Sequence, residues 1–178
     1  MRRPFLSRED ILDALNAVAD LLAAQGIDGR VYVVGGAAMA LAYQRDRVTR
    51  DVDAVFAPST AVRAAAIEVA IARRLPEDWL NDAVKGFVPG TDPDRVPVFS
   101  RPGLEVGAAS ARVMLGMKVL AARPELDADD IEILAGILGL RTADEVLDVV
   151  SSLYPPERIP PRSQYLVEQL FPRETEGP

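Results

Sequence analysis

Asp51 and Asp53 lie in the segment Thr49-Arg50-Asp51-Val52-Asp53-Ala54-Val55-Phe56, fifteen residues downstream of the pair Gly35-Gly36. In a strand, side chains return to one face every second residue, so both carboxylates project together. Neighbouring like charges repel unless a cation or a shared proton sits between them, and hard oxygen donors suit a divalent metal, magnesium first. Gly35-Gly36 ends the apolar run Val31-Tyr32-Val33-Val34 and precedes the small, apolar segment Ala37 to Tyr43. A glycine pair between strand and helix lets backbone N–H groups approach an anion with no Cβ in the way, and a triphosphate suits that position. Glycine pairs more often serve ordinary tight turns, and aspartates often start exposed strands. The order strand, glycine turn, helix, arginine-rich loop, acidic strand says more than either part alone.

Lys118 is the one charge in Val113 to Ala122, a helix otherwise apolar around its whole circumference and therefore expected to be buried. Burying an unpaired ammonium is costly, so Lys118 should meet a carboxylate or a bound phosphate, unless it snorkels to the surface. Arg45, Arg47 and Arg50 precede the acidic pair and Arg73-Arg74 closes the next segment; they form either a basic rim for phosphates or a solvated loop. Trp79 reads as a packing anchor more than a base-stacking platform, and Asn81-Asp82 as a turn or cap more than a ligand set.

Composition narrows the chemistry. The 178 residues are 49% apolar and 26% charged, as expected of a globular chain with a real core. Cysteine is absent, which removes disulfides, thiolate nucleophiles and zinc-thiolate sites, and histidine is absent, which removes a serine-histidine triad. Proton transfer and metal ligation therefore fall to carboxylates, lysine, tyrosine or water. The net charge of −7 argues against general attraction to nucleic acid, although the arginines are unevenly spread. Apolar runs fall short of the roughly 20 residues of a membrane span, and Met1-Arg2-Arg3-Pro4 leads into a polar helix start, so no membrane association and a cytoplasmic location are expected.

The elements that must position these groups can be read in order. Ser7-Arg8-Glu9-Asp10 opens a helix running to Gly26, Arg30 to Val34 is a buried strand, and Ala37 to Tyr43 is a helix. Asp51 to Phe56 is the second strand, and Pro58-Ser59 starts a helix to about Leu75. Pro76 to Gly103 is turn-like, with Val96 to Phe99 and Leu104 to Ala109 able to pair as strands. Ser110 caps a helix to about Ala122, Asp127 caps another to Leu138, Thr142-Ala143-Asp144-Glu145 boxes a third, and a last helix covers Arg162 to Phe171. The expectation is an α+β fold, a small mixed sheet flanked by helices with a helical C-terminal extension. Residues 1–109 form the core and 110–178 the helical part, packed as one compact domain.

The ordered motif Gly35, Gly36, Asp51, Asp53 resembles the signature of the DNA polymerase β-like nucleotidyltransferase superfamily. The wider pattern adds Trp79-Leu80-Asn81-Asp82, Met117-Lys118 and the acids Asp127 to Asp130, and it is similar to the AbiEii/MenT group of toxin-type nucleotidyltransferases over about residues 31 to 135. That resemblance implies transfer of a nucleoside monophosphate from a nucleoside triphosphate to an RNA acceptor, often the 3′ end of tRNA, by a toxin that travels with a cognate antitoxin. It implies that Asp51 and Asp53 hold Mg2+, that Gly35, Gly36 and Arg47 meet the nucleotide, and that Lys118 contacts it with Asp130 as the downstream functional acid. Glu105 is the only obvious counterpart of a third metal carboxylate, and the base for the acceptor hydroxyl would be an aspartate or water. The alternatives are an antitoxin that AMPylates a partner protein, an aminoglycoside nucleotidyltransferase, or an inactive binding module whose acidic pair is satisfied by Arg47 or Arg50.

Overall fold

The computed structural model describes residues 4–44 and 46–172. The chain forms two compact units, residues 1–87 with 94–109 and residues 88–93 with 110–178. The excursion of 88–93 into the second unit has a local cause, because Asp92 Oδ2 accepts a hydrogen bond from the Ser110 N–H at 2.8 Å.

The first unit is built on a five-stranded mixed sheet. Its strands are β1 (Gly29–Val33), β2 (Val52–Ala57), β3 (Leu80–Asn81), β4 (Val96–Arg101) and β5 (Leu104–Ala108), in the order β3-β2-β1-β5-β4. β1 runs antiparallel to β2 and parallel to β5, β2 runs parallel to β3, and β4 and β5 form the antiparallel pair their sequences suggested. The β4 register shifts between Pro97 and Phe99, where the proline cannot donate to the ladder.

Alternation sorts the two faces. Val31 and Val33, opposite Phe56 and Ala54 on β2 and Val106 and Ala108 on β5, make a buried face. Helices α1 (Arg8–Ala24) and α3 (Ser59–Arg73) cover it. They approach so closely that a Cβ on Gly29 would lie 2.9 Å from Leu22 Cδ1 and 3.3 Å from Val62 Cγ2, so any larger residue there would force these side chains to shift. The capping box expected at Ser7 forms: its hydroxyl accepts from the Asp10 N–H, and its own N–H donates to Asp10 Oδ2 at 2.9 Å. The Ser7 hydroxyl, which donates to Asp10 Oδ2 at 2.7 Å, and then the Ser7 N–H hold the Asp10 carboxyl below the usual range. The opposite face, with Arg30 and Tyr32 of β1, carries no apolar run and stays partly open.

The second unit is helical: α4 (Ala111–Ala121), α5 (Pro124–Leu138), α6 (Ala143–Leu153) and α7 (Pro161–Leu170). Ser110 caps α4 and Thr142 boxes α6, both as the sequence indicated. Gly116 lets α4 lie against the end of α6, since a Cβ there would meet Leu153 Cδ1 at 2.7 Å and Tyr154 Cε2 at 3.2 Å. Burial pushes the Tyr154 hydroxyl up to about 12, opposed by the nearby Arg158 guanidinium. A phenol whose folded value lies above its ordinary value of 10.0 contributes its full stabilisation below pH 10 and loses it as the pH rises towards 12. Denaturant titrations across that window should show stability falling with pH, and Tyr154→Phe should flatten the fall. No helix among the described residues is long and apolar enough to cross a membrane.

Candidate active site

The turn after β1 is where the sheet meets the glycine pair. Gly35 has φ +64°, in the left-handed region open to glycine, and it begins α2 (Gly35–Ala38), which continues as a π-helical segment, Met39–Tyr43. The wide turn closes through the Gln44 N–H, which donates to the Met39 carbonyl at 2.7 Å, and the Tyr43 hydroxyl anchors it by donating to the Ala109 carbonyl at 2.6 Å. The helix therefore starts two residues earlier than Ala37, with both glycines inside its first turn. The first N–H groups of a helix lack intrahelical acceptors, and Gly35 and Gly36 are the first two residues of α2.

Both glycines are required by close neighbours. A Cβ on Gly35 would lie 3.3 Å from Asp53 Oδ2, and one on Gly36 would lie 2.8 Å from Thr49 Oγ1. An alanine at position 35 would add a left-handed penalty of about 1–2 kcal/mol. The glycine turn and the acidic strand, fifteen residues apart in sequence, are thus in contact. The Val34 N–H donates to the Asp53 carbonyl at 2.9 Å, so backbone as well as side chain fixes their separation.

Asp51 immediately precedes β2 and Asp53 lies within it; both are half-buried, while Val52, Ala54 and Phe56 turn into the core. The alternation read from sequence therefore puts the two carboxylates on the side away from α1 and α3. Thr49 adds a contact that no sequence argument assigned: its hydroxyl donates to the Asp51 carbonyl at 3.1 Å beside Gly36. The donor set fits magnesium on one particular ground. The ion takes one or two protein carboxylates and fills its other positions with water and phosphate oxygens, and Gly35 keeps the space beside Asp53 free of a methyl group. Among the described residues no group of three or more acidic, histidine or cysteine side chains is placed to cage a metal alone.

Glu105 lies elsewhere. It pairs with Arg95 at 2.9 Å and with Arg30 at 3.9 Å, and its register partner Arg30 stands opposite Ala57. Asp53 is four residues back along β2, about 13 Å at the usual strand rise, so Glu105 cannot share an ion with it. Asn81 and Asp82 behave as a turn: Asn81 Oδ1 accepts from the Ala83 N–H at 3.2 Å, and Asp82 pairs with Arg63 at 2.8 Å, which holds its carboxyl below the usual range. Trp79 is fully buried and donates to the Ala66 carbonyl at 2.9 Å, an anchor and not a stacking surface. Of the basic rim, Arg47 is half-exposed, the Arg50 guanidinium lies 5.4 Å from the centre of the Phe5 ring, Arg73 pairs with Asp13, and Arg45 lies outside the described residues.

Lys118 and the downstream acids belong to the second unit. Lys118 is buried, and its Nζ lies 2.7 Å from Asp127 Oδ1 and 2.8 Å from Asp130 Oδ2, both carboxylates fully buried. Arg123 closes the cluster on Asp127 at 2.9 Å. The expected carboxylate partner of Lys118 is therefore present twice. Asp127 is not a cap: α5 begins at Pro124, whose missing N–H makes it a natural first residue, and Asp127 sits one turn in, beneath the lysine. Comparisons with protein-family models, with curated proteins and with solved structures find no match to this chain.

Proposed function

We propose that the protein is a magnesium-dependent nucleotidyltransferase that moves a nucleoside monophosphate from a nucleoside triphosphate to the 3′ end of an RNA, tRNA first, as the toxin of a toxin–antitoxin pair. One observation carries the reading: the left-handed Gly35 turn lies so close to Asp53 that a Cβ at position 35 would come 3.3 Å from its carboxylate, with Asp51 two residues back on the alternation of β2. A phosphate cradle and a hard-oxygen ligand pair are thereby adjacent, which is what triphosphate chemistry needs and an ordinary turn does not.

The chain's own groups have defined tasks in this reading. Asp51 and Asp53 hold the ion, Gly35 and Gly36 present N–H groups to phosphate oxygens, and Arg47 adds positive charge from the adjoining loop. Magnesium, when bound, neutralises charge on the triphosphate. The acceptor hydroxyl oxygen bonds to the α-phosphorus while the bond to pyrophosphate breaks, and its proton passes to an aspartate or to water. Assignment of Lys118 and Asp130 to nucleotide contact rests on the resemblance alone, because their charges already neutralise each other within a buried cluster.

Incubation with each labelled nucleoside triphosphate, magnesium and total tRNA should place label on RNA, and a chelator should abolish it. Absence of RNA labelling with every nucleotide would overturn the RNA assignment; label on a protein or aminoglycoside instead would move the same chemistry to another acceptor.

A further inference from the structure

The open face of the sheet carries more than Asp53. Register pairs Val55 with Tyr32 and Tyr32 with Gly107, and one step further along it pairs Ala57 with Arg30 and Arg30 with Glu105, so these side chains share the face of Asp53. Arg95 joins them from outside the strands. Its stem lies over Gly107, where a Cβ would come 3.4 Å from Arg95 Cδ, and its Nη2 donates to Glu105 Oε1 at 2.9 Å. Glycine at position 107 is what allows a long side chain to lie flat on the strand. The result is a groove of about 240 Å³ with Tyr32 and Val55 in its lining and the two arginines at Glu105.

The charges on this groove run against those of the chain. Two guanidiniums and one carboxylate leave it at +1 in a chain of net −7. Glu105 draws both arginines together, through one nitrogen of each, so most of their ten N–H donors remain for a ligand. The Arg30 side chain is 83% exposed and that of Arg95 55%, so neither is serving the core. The basic end lies about 13 Å from Asp53 along β2, joined to it by the Val55 row.

We infer that this face is the track for the single-stranded 3′ end of the RNA acceptor: Arg30 and Arg95 bind backbone phosphates a few nucleotides from the reacting end, and Tyr32 and Val55 floor the path to Asp53. The inference rests on the nucleotidyl-transfer reading and adds to it the surface that selects the acceptor. A polyanion would otherwise be repelled by so acidic a protein, and these arginines extend the face that bears the ligand pair.

The test uses the full chain and a short single-stranded RNA ending in a free 3′-hydroxyl. Binding measured over a range of salt should weaken for Arg30→Ala/Arg95→Ala, with the slope of log K against log salt smaller by about 0.7 per arginine, and KM for RNA in the transfer assay should rise at least tenfold with KM for nucleotide unchanged. Arg73→Ala, on the helix-covered side, sets the effect of losing a distant charge and should leave the slope near wild type. An unchanged slope in the double variant, a drop equalled by Arg73→Ala, or no RNA binding by wild type would each overturn the inference. Metal-dependent heat of nucleotide binding, measured by calorimetry on the same proteins, reports separately on the catalytic reading: it should persist in the double variant, and its absence from wild type would remove that reading first.

Discussion

Asp53→Asn should lower the rate of nucleotidyl transfer by about 10³-fold while the protein stays folded, and Asp51→Asn should do nearly the same. The size follows from the proposed roles: removing one of two charged ligands from a centre that stabilises developing phosphate charge is worth several kcal/mol. Asparagine keeps the shape of aspartate, so the packing of position 53 against the Gly35 turn survives. Magnesium with nucleotide should raise the melting temperature of wild type and not of the variants, since only a ligand that binds the native state stabilises it. If transfer continues undiminished in both variants, the acidic pair has a structural task and the proposed activity falls.

Lys118→Met should destabilise the protein by about 3–5 kcal/mol, because it removes the ammonium that two fully buried carboxylates share. Against a total stability of about 5–15 kcal/mol, that is enough to populate the unfolded state visibly. Arg123 compensates Asp127 from a largely exposed position. Replacing Lys118, Asp127 and Asp130 together by apolar residues of similar volume should recover most of the loss, because the ions and their desolvation penalties leave together. Urea denaturation of the single and triple variants measures both values. A single variant as stable as wild type would mean the cluster is wetter than its burial implies.

The sequence revealed what depends on neighbours along the chain. Alternation around Asp51 and Asp53 separated acidic from apolar positions on β2, the glycine pair marked the strand-to-helix turn, and Ser7, Ser110 and Thr142 announced their helices. What escaped depends on partners distant in sequence. β3 is two residues long and leaves no periodic trace; it exists because β2 offers Val52 and Asp53 as parallel partners. Asp127 looked like a cap because first-turn acids are common, whereas its burial is set by a lysine on the preceding helix. The packing of Gly107 beneath Arg95 shows only once β1 and β5 are known to be neighbours, and Thr49 acquires a role only when Gly36 is beside it.

The two outermost strands bear on how the protein behaves when crowded. An exposed strand edge invites another chain to dock by backbone pairing, the first step towards fibrils. β3 offers only two residues for such a contact, and β4 interrupts its rim with Pro97 and a register shift. Both ends of the sheet are thereby blunted, and concentrated solutions should resist growth by strand addition.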